Sequence, residues 1–120
     1  MHIKNAHDLP GFGSPHGEIV YELIGHAAGG SQAHSLAKIV IPPGKASRKH
    51  YHPVAEESYF ILSGTARMEM AGEVSTLTAG DSVMIPPPQV HQIANAGTDD
   101  LVFLAVCVPA WTPDNSIYLD

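Results

Sequence analysis

The chain holds one cysteine, only six basic residues, and no uninterrupted apolar run of membrane-spanning length. Each shortage removes a class of protein. Cys107 alone excludes an internal disulfide and fits a reducing compartment. Six Lys and Arg against twelve Asp and Glu give a net charge of −6, which argues against nucleic-acid binding, because phosphate neutralisation needs clustered cations. Only Lys45, Arg48 and Lys49 lie close together. No membrane span is expected, and the opening residues MHIKNAHDLPGFG lack the apolar centre of a signal peptide, so a cytoplasmic setting is expected. Long helices are not expected either: ten prolines are scattered along the chain, and no apolar 3.6-residue period persists for three turns.

What is present reads as one all-β domain. A chain of 120 residues, 44% of them hydrophobic, suffices for a single core. Turn signals recur through the sequence at His26 to Gly30, Pro42-Pro43-Gly44, Ser63-Gly64, Ala71-Gly72-Glu73, Ala79-Gly80-Asp81, Pro86-Pro87-Pro88 and Asn95 to Asp100. Between them the β-favouring runs are 18–25, 34–42, 57–62, 65–70, 73–77, 82–86, 90–94 and 101–108. Residues 1–17, rich in glycine and proline, form an expected irregular arm, and 18–120 the barrel domain. In TARMEM, 65–70, Ala66, Met68 and Met70 alternate with Thr65, Arg67 and Glu69, the pattern of a half-buried strand. In contrast LVFLAVCV, 101–108, is apolar on both faces and needs cover from the core on one side and another layer or subunit on the other.

Eight histidines stand in the chain, and His2, His7, His16, His26 and His34 read as solvated or structural. The others carry a pattern. His50 and His52, one residue apart on an extended segment, point the same way, and Glu57 follows after a short turn. His91 sits in a second apolar, strand-like segment. Three imidazoles and a carboxylate suit one divalent ion of iron, manganese, nickel, cobalt or zinc.

These residues stand in a wider frame. Gly44, His50, His52, Glu57 and Gly64 are separated by five, one, four and six residues; Gly80, Pro86, Pro88, His91 and Asn95 are separated by five, one, two and three. The pair of motifs resembles the cupins, with Pro88 standing where that family usually has glycine. The resemblance covers roughly 44–108. It implies a double-stranded β-helix, or jelly-roll barrel, with His50, His52, Glu57 and His91 on one metal. Four ligands on an octahedral ion leave about two positions open to a ligand. Glu56 adjoins Glu57, but strand alternation turns it away.

The same alternation suggests the rest of the inner wall. Arg48 shares parity with His50 and His52, and would meet an anionic substrate group if the strand is regular; otherwise it is a solvated loop arginine. Tyr59 follows Glu57 by two and would enter the pocket as an acid or base, or as a buried aromatic with a satisfied hydroxyl. Ile61 and Ile93 would make the walls partly apolar. Gln89 and Gln92 receive no role. Trp111, between Pro109 and Pro113, would cap a barrel end, pack in the core or dock on a partner, and Cys107 reads as a small buried hydrophobe.

Two functional readings follow. The first is a small metal-dependent enzyme of the dioxygenase or sugar-isomerase kind, taking a small oxygenated, anionic metabolite. The second is a non-catalytic module that binds or senses a small ligand. The resemblance also implies a homodimer, which would cover 101–108.

Overall fold

The computed structural model describes residues 1–14 and 16–119. Pro15, within the expected arm, and Asp120, at the end of the expected barrel domain, lie outside the described residues. The strands are β1 (Phe12–Gly13), β2 (Ile19–Ile24), β3 (Ser35–Ile41), β4 (His50–Tyr51), β5 (Glu56–Ser63), β6 (Thr65–Met70), β7 (Glu73–Thr78), β8 (Ser82–Ile85), β9 (His91–Asn95), β10 (Leu101–Val108) and β11 (Ile117–Tyr118). They form two sheets, ordered β1-β2-β3-β10-β5-β8 and β11-β4-β9-β6-β7. Only two short 3₁₀ turns, Ala6–Asp8 and Pro113–Asn115, interrupt this all-β architecture among the described residues. No helix among them is long and apolar enough to cross a membrane.

The sheets face each other across a core that alternation selects. On β10, Leu101, Phe103, Ala105 and Cys107 point inward and are buried, while the residues between them turn out. On β6, Ala66 and Met68 are buried and Arg67 is exposed. Ile41, Ile61, Ile85 and Ile93 complete a fully enclosed set around Phe103. Burying each such side chain contributes about 1.5–3 kcal/mol. The β5–β6 hairpin depends on Gly64, whose φ is 89° and where an added Cβ would lie 2.6 Å from the Asp100 carbonyl oxygen.

Two regions differ from the sequence expectation. The arm is not wholly irregular, since Phe12–Gly13 pairs with Ile19–Val20 and extends the six-stranded sheet. The outer face of β10 is also less covered than its composition suggests: Val108 is 48% exposed, and Phe60 and Met84 on neighbouring strands are 44% and 50% exposed. β10 lies in the interior of its sheet, so its edges are paired, and Val102, Leu104 and Val106 on that face are half-buried.

Candidate metal centre

The four expected ligands meet. One donor atom from each of His50, His52, Glu57 and His91 lies within 4.8 Å of the others. Donors about 2.1 Å from a common ion are up to about 4.2 Å apart, so small side-chain shifts complete the shell. Three short pieces of structure achieve this. His50 pairs across from His91 between β4 and β9, which places the two rings side by side with centroids 4.2 Å apart. Glu57 is inward-facing on β5, buried at 7% exposure, while Glu56 is exposed. His52, just past β4, is buried at 3%.

Hydrogen bonding fixes which nitrogen each ring presents. His50 Nδ1 donates to the Arg48 carbonyl (2.7 Å), His91 Nδ1 to the Gln89 carbonyl (3.0 Å) and His52 Nδ1 to the Asn115 carbonyl (2.9 Å). A carbonyl only accepts, so each Nδ1 carries hydrogen and each Nε2 is left with a lone pair in the neutral ring. The three Nε2 atoms then face one another and Glu57. His52 Nε2 lies 3.1 Å and His91 Nε2 3.5 Å from Glu57 Oε1, acceptor against acceptor when both rings are neutral. His91 Nε2 is buried with no hydrogen-bond partner. Ring-nitrogen lone pairs turned on one another and on a buried carboxylate are stabilised by a cation among them. The donor set therefore fits a divalent metal.

Electrostatics agree with this layout. Burial opposes ionisation of Glu57, yet the neighbouring His52 and His91 imidazoles pull its pKa down to about 2. Burial lowers His50 to about 4, helped by the neighbouring His91. Burial also opposes the charged form of His52, but its bond to Glu57 more than offsets this and its pKa is raised.

The other expected residues fall in different places. Tyr59 is buried on β5, and its hydroxyl donates to Glu57 Oε1 at 3.2 Å. Burial, followed by the charge of Glu57, raises its pKa well above the ordinary phenol value, so the hydroxyl keeps its proton. Arg48 does not line the cavity. Its guanidinium stacks 4.5 Å above the Tyr118 ring and borders a separate surface groove. The parity argument fails there because β4 begins only at His50, so regular alternation does not reach back to residue 48. Asn95 of the second motif is a clamp: its amide donates to the carbonyls of Ile41 and Asp99, both at 2.8 Å. Gln92 likewise donates to the Ser47 carbonyl at 2.9 Å. The three prolines place Gln89 so that its carbonyl receives His91; the Pro87–Pro88 peptide is cis.

Sequence reasoning missed the contribution of the chain ends. Besides Asn115, Ser116 Oγ lies 3.2 Å from His52 Nδ1 and accepts from Trp111 Nε1 at 2.9 Å. Trp111 is anchored in turn by its own N–H on Ser35 Oγ, 2.9 Å away. Tyr118 pairs with His50 through β11, its ring 5.5 Å from the imidazole. At the other end, Glu18 and Glu22 reach the same cavity from β2 and the residue before it. The cavity has a volume of about 130 Å³, and Val20, Ala37, Ile39 and Ala105 make much of its wall apolar.

Residues 37–107 match the family model for the cupin domain. The oxalate-binding protein of Thermotoga maritima is 33% identical over 86 residues, spanning 72% of this chain and 71% of that protein. The crystal structure of a predicted oxalate decarboxylase from Thermotoga maritima superposes with a TM-score of 0.81 at 25% identity, covering 91% of this chain and 99% of the other. A candidate sugar phosphate isomerase from Acidithiobacillus ferrooxidans gives 0.67 at 31% identity, covering 76% and 58%.

Proposed function

The chain belongs to the cupin family, and from that premise we propose that it holds one divalent transition metal on His50, His52, Glu57 and His91 and acts on a small oxygenated acid beside it. The observation that carries the reading is the buried set of Nε2 lone pairs, locked by three backbone carbonyls, turned on Glu57. When bound, the ion supplies a Lewis-acid centre that polarises ligand oxygens. Three neutral imidazoles and one carboxylate leave such a centre with net positive charge, which favours an anion. Tyr59, holding its proton, donates its hydroxyl to Glu57 and so orients that carboxylate.

Size narrows the ligand. A space of about 130 Å³ is slightly smaller than an engineered apolar cavity of about 150 Å³ that takes benzene. A two- to four-carbon acid fits; a whole sugar phosphate must protrude. This favours a ligand like that named for the oxalate-binding relative over the sugar-isomerase reading. The same resemblance supports a second reading, a module that binds a small acid without turning it over. The two are separated by loading the protein with metal, adding oxalate or a short hydroxy acid, and following binding by calorimetry and turnover by product analysis. Binding with product supports the enzyme, and binding alone the module. Failure of every short acid to bind the metal-loaded protein would exclude both.

We also infer a cytoplasmic homodimer. The uncovered apolar face with Phe60, Met84 and Val108 supports self-association, and the free, buried thiol of Cys107 suits a reducing compartment.

A further inference from the structure

The cavity contains an acid that the metal centre does not use. Glu18, Val20 and Glu22 lie two apart, so they share one face of the chain entering β2, and all three line the cavity that reaches His50, His52 and Glu57. No Lys or Arg side chain is among the described residues of that lining, since Arg48 is stacked on Tyr118 elsewhere. Glu18 takes part in no salt bridge among the described residues. The cavity thus offers three carboxyl groups and no side-chain cation, although its centre is suited to attract an anion.

We propose, resting on the small-acid reading above, that Glu18 reads the far end of the ligand: its carboxyl donates a hydrogen bond to the oxygen that an organic acid turns away from the metal centre. An ionised Glu18 would repel such an acid, whereas a protonated carboxyl is a donor, and an O–H to an anionic oxygen makes a short, strong bond. The surroundings favour the protonated form. Burial raises the pKa of Glu18, the charge of Glu57 adds to the rise, and a bond from Ser14 only partly opposes it. The ligand class follows: a short acid with oxygens at both ends, such as a dicarboxylate, bound with Glu18 protonated. A one-carbon acid leaves Glu18 untouched.

The pH dependence has a definite sign. Affinity for the acid is full where Glu18 is protonated and falls, by up to about tenfold per unit, as pH rises above its pKa. Other titratable groups face the cavity. Glu22 shares the β2 face, and burial raises its pKa too. Glu57 and Tyr59 come from β5, Cys107 from β10, His50 and Tyr118 from β4 and β11, and His52 from just beyond β4. Lys45 packs its stem at Gly17 but does not line the cavity.

The test uses cobalt(II)-loaded full-length protein at saturating metal, whose visible bands report changes at the ion, titrated with oxalate and with formate between pH 5 and 8. The wild type is expected to bind oxalate more weakly as pH rises. Glu18→Ala should lose roughly ten- to hundredfold in oxalate affinity and less than about twofold for formate. Glu18→Gln, which keeps a donor but cannot ionise, should bind oxalate near wild-type strength with the pH slope removed, and Glu22→Gln should keep the slope. Circular dichroism and cobalt content confirm that each variant is folded and loaded. If Glu18→Ala binds oxalate as tightly as wild type, or Glu18→Gln keeps the slope, the assignment of Glu18 is wrong while the small-acid reading stands. If oxalate leaves the wild-type bands and heats unchanged, the small-acid reading fails and this inference falls with it.

Discussion

One wall of the site is carried by β4, β5 and β9; the other is supplied by the two ends of the chain, and β3 and β10 line the cavity as well. The first wall provides the donor atoms, His50, His52, Glu57 and His91. The second provides partners and boundaries. The tail gives His52 its carbonyl from Asn115, and β2 with the residue before it brings Glu18 and Glu22 to the space beside the candidate ligands. The two walls tolerate change differently. Ligand positions must be held within tenths of an ångström of a common centre; His50, Glu57 and His91 sit on paired strands, and His52, just past β4, is fixed by its bond to the Asn115 carbonyl. The chain ends need only reach the cavity, and they do so through two-residue strands and side-chain bonds.

Breaking the first wall should have the largest effect. His91→Ala removes a fully buried donor, and is expected to lower metal affinity by more than about tenfold, on the order of a hundredfold, while the barrel still folds. A metal titration followed by thermal unfolding checks both halves; full occupancy in the variant would remove His91 from the ligand set. Breaking the second wall should cost less. Ser116→Ala cuts the link between Trp111 and His52, leaving the Asn115 carbonyl to hold the ring. Metal affinity should fall about tenfold, the lower end for a partner of a ligand. An equal loss in the two variants would mean that the walls do not divide in this way. The smallest effect on the site should come from outside both: Phe60→Asp on the exposed sheet face should leave metal affinity within about twofold yet convert the proposed dimer to monomer in sedimentation. A wild-type protein that sediments as a monomer at micromolar concentration would rule out the proposed pairing.

The same division explains what the amino-acid order made readable. β6 and β10 have the bounds that 65–70 and 101–108 suggest, because alternation and turn residues are local signals. The donor set was readable because strand parity carries Glu57 inward and Glu56 outward, and because the motif glycines Gly44, Gly64 and Gly80 mark the turns. Arg48 was misplaced for the same reason that the others were found: parity holds only inside a strand, and β4 is two residues long. The Trp111–Ser116–His52 chain spans residues far apart in sequence, with no period linking them, so only the fold reveals it. Glu18 had a local signal, its parity with Val20 and Glu22, but parity does not say which face of β2 looks into the cavity.

The proposed centre gives a single ion three imidazole nitrogens and one carboxylate oxygen. X-ray absorption at the cobalt edge, on protein loaded with cobalt(II) and stripped of excess, tests it most directly. One ion per chain is expected, with three imidazole scattering patterns and the rest oxygen. Substoichiometric cobalt, or a spectrum with at most one imidazole, would contradict it.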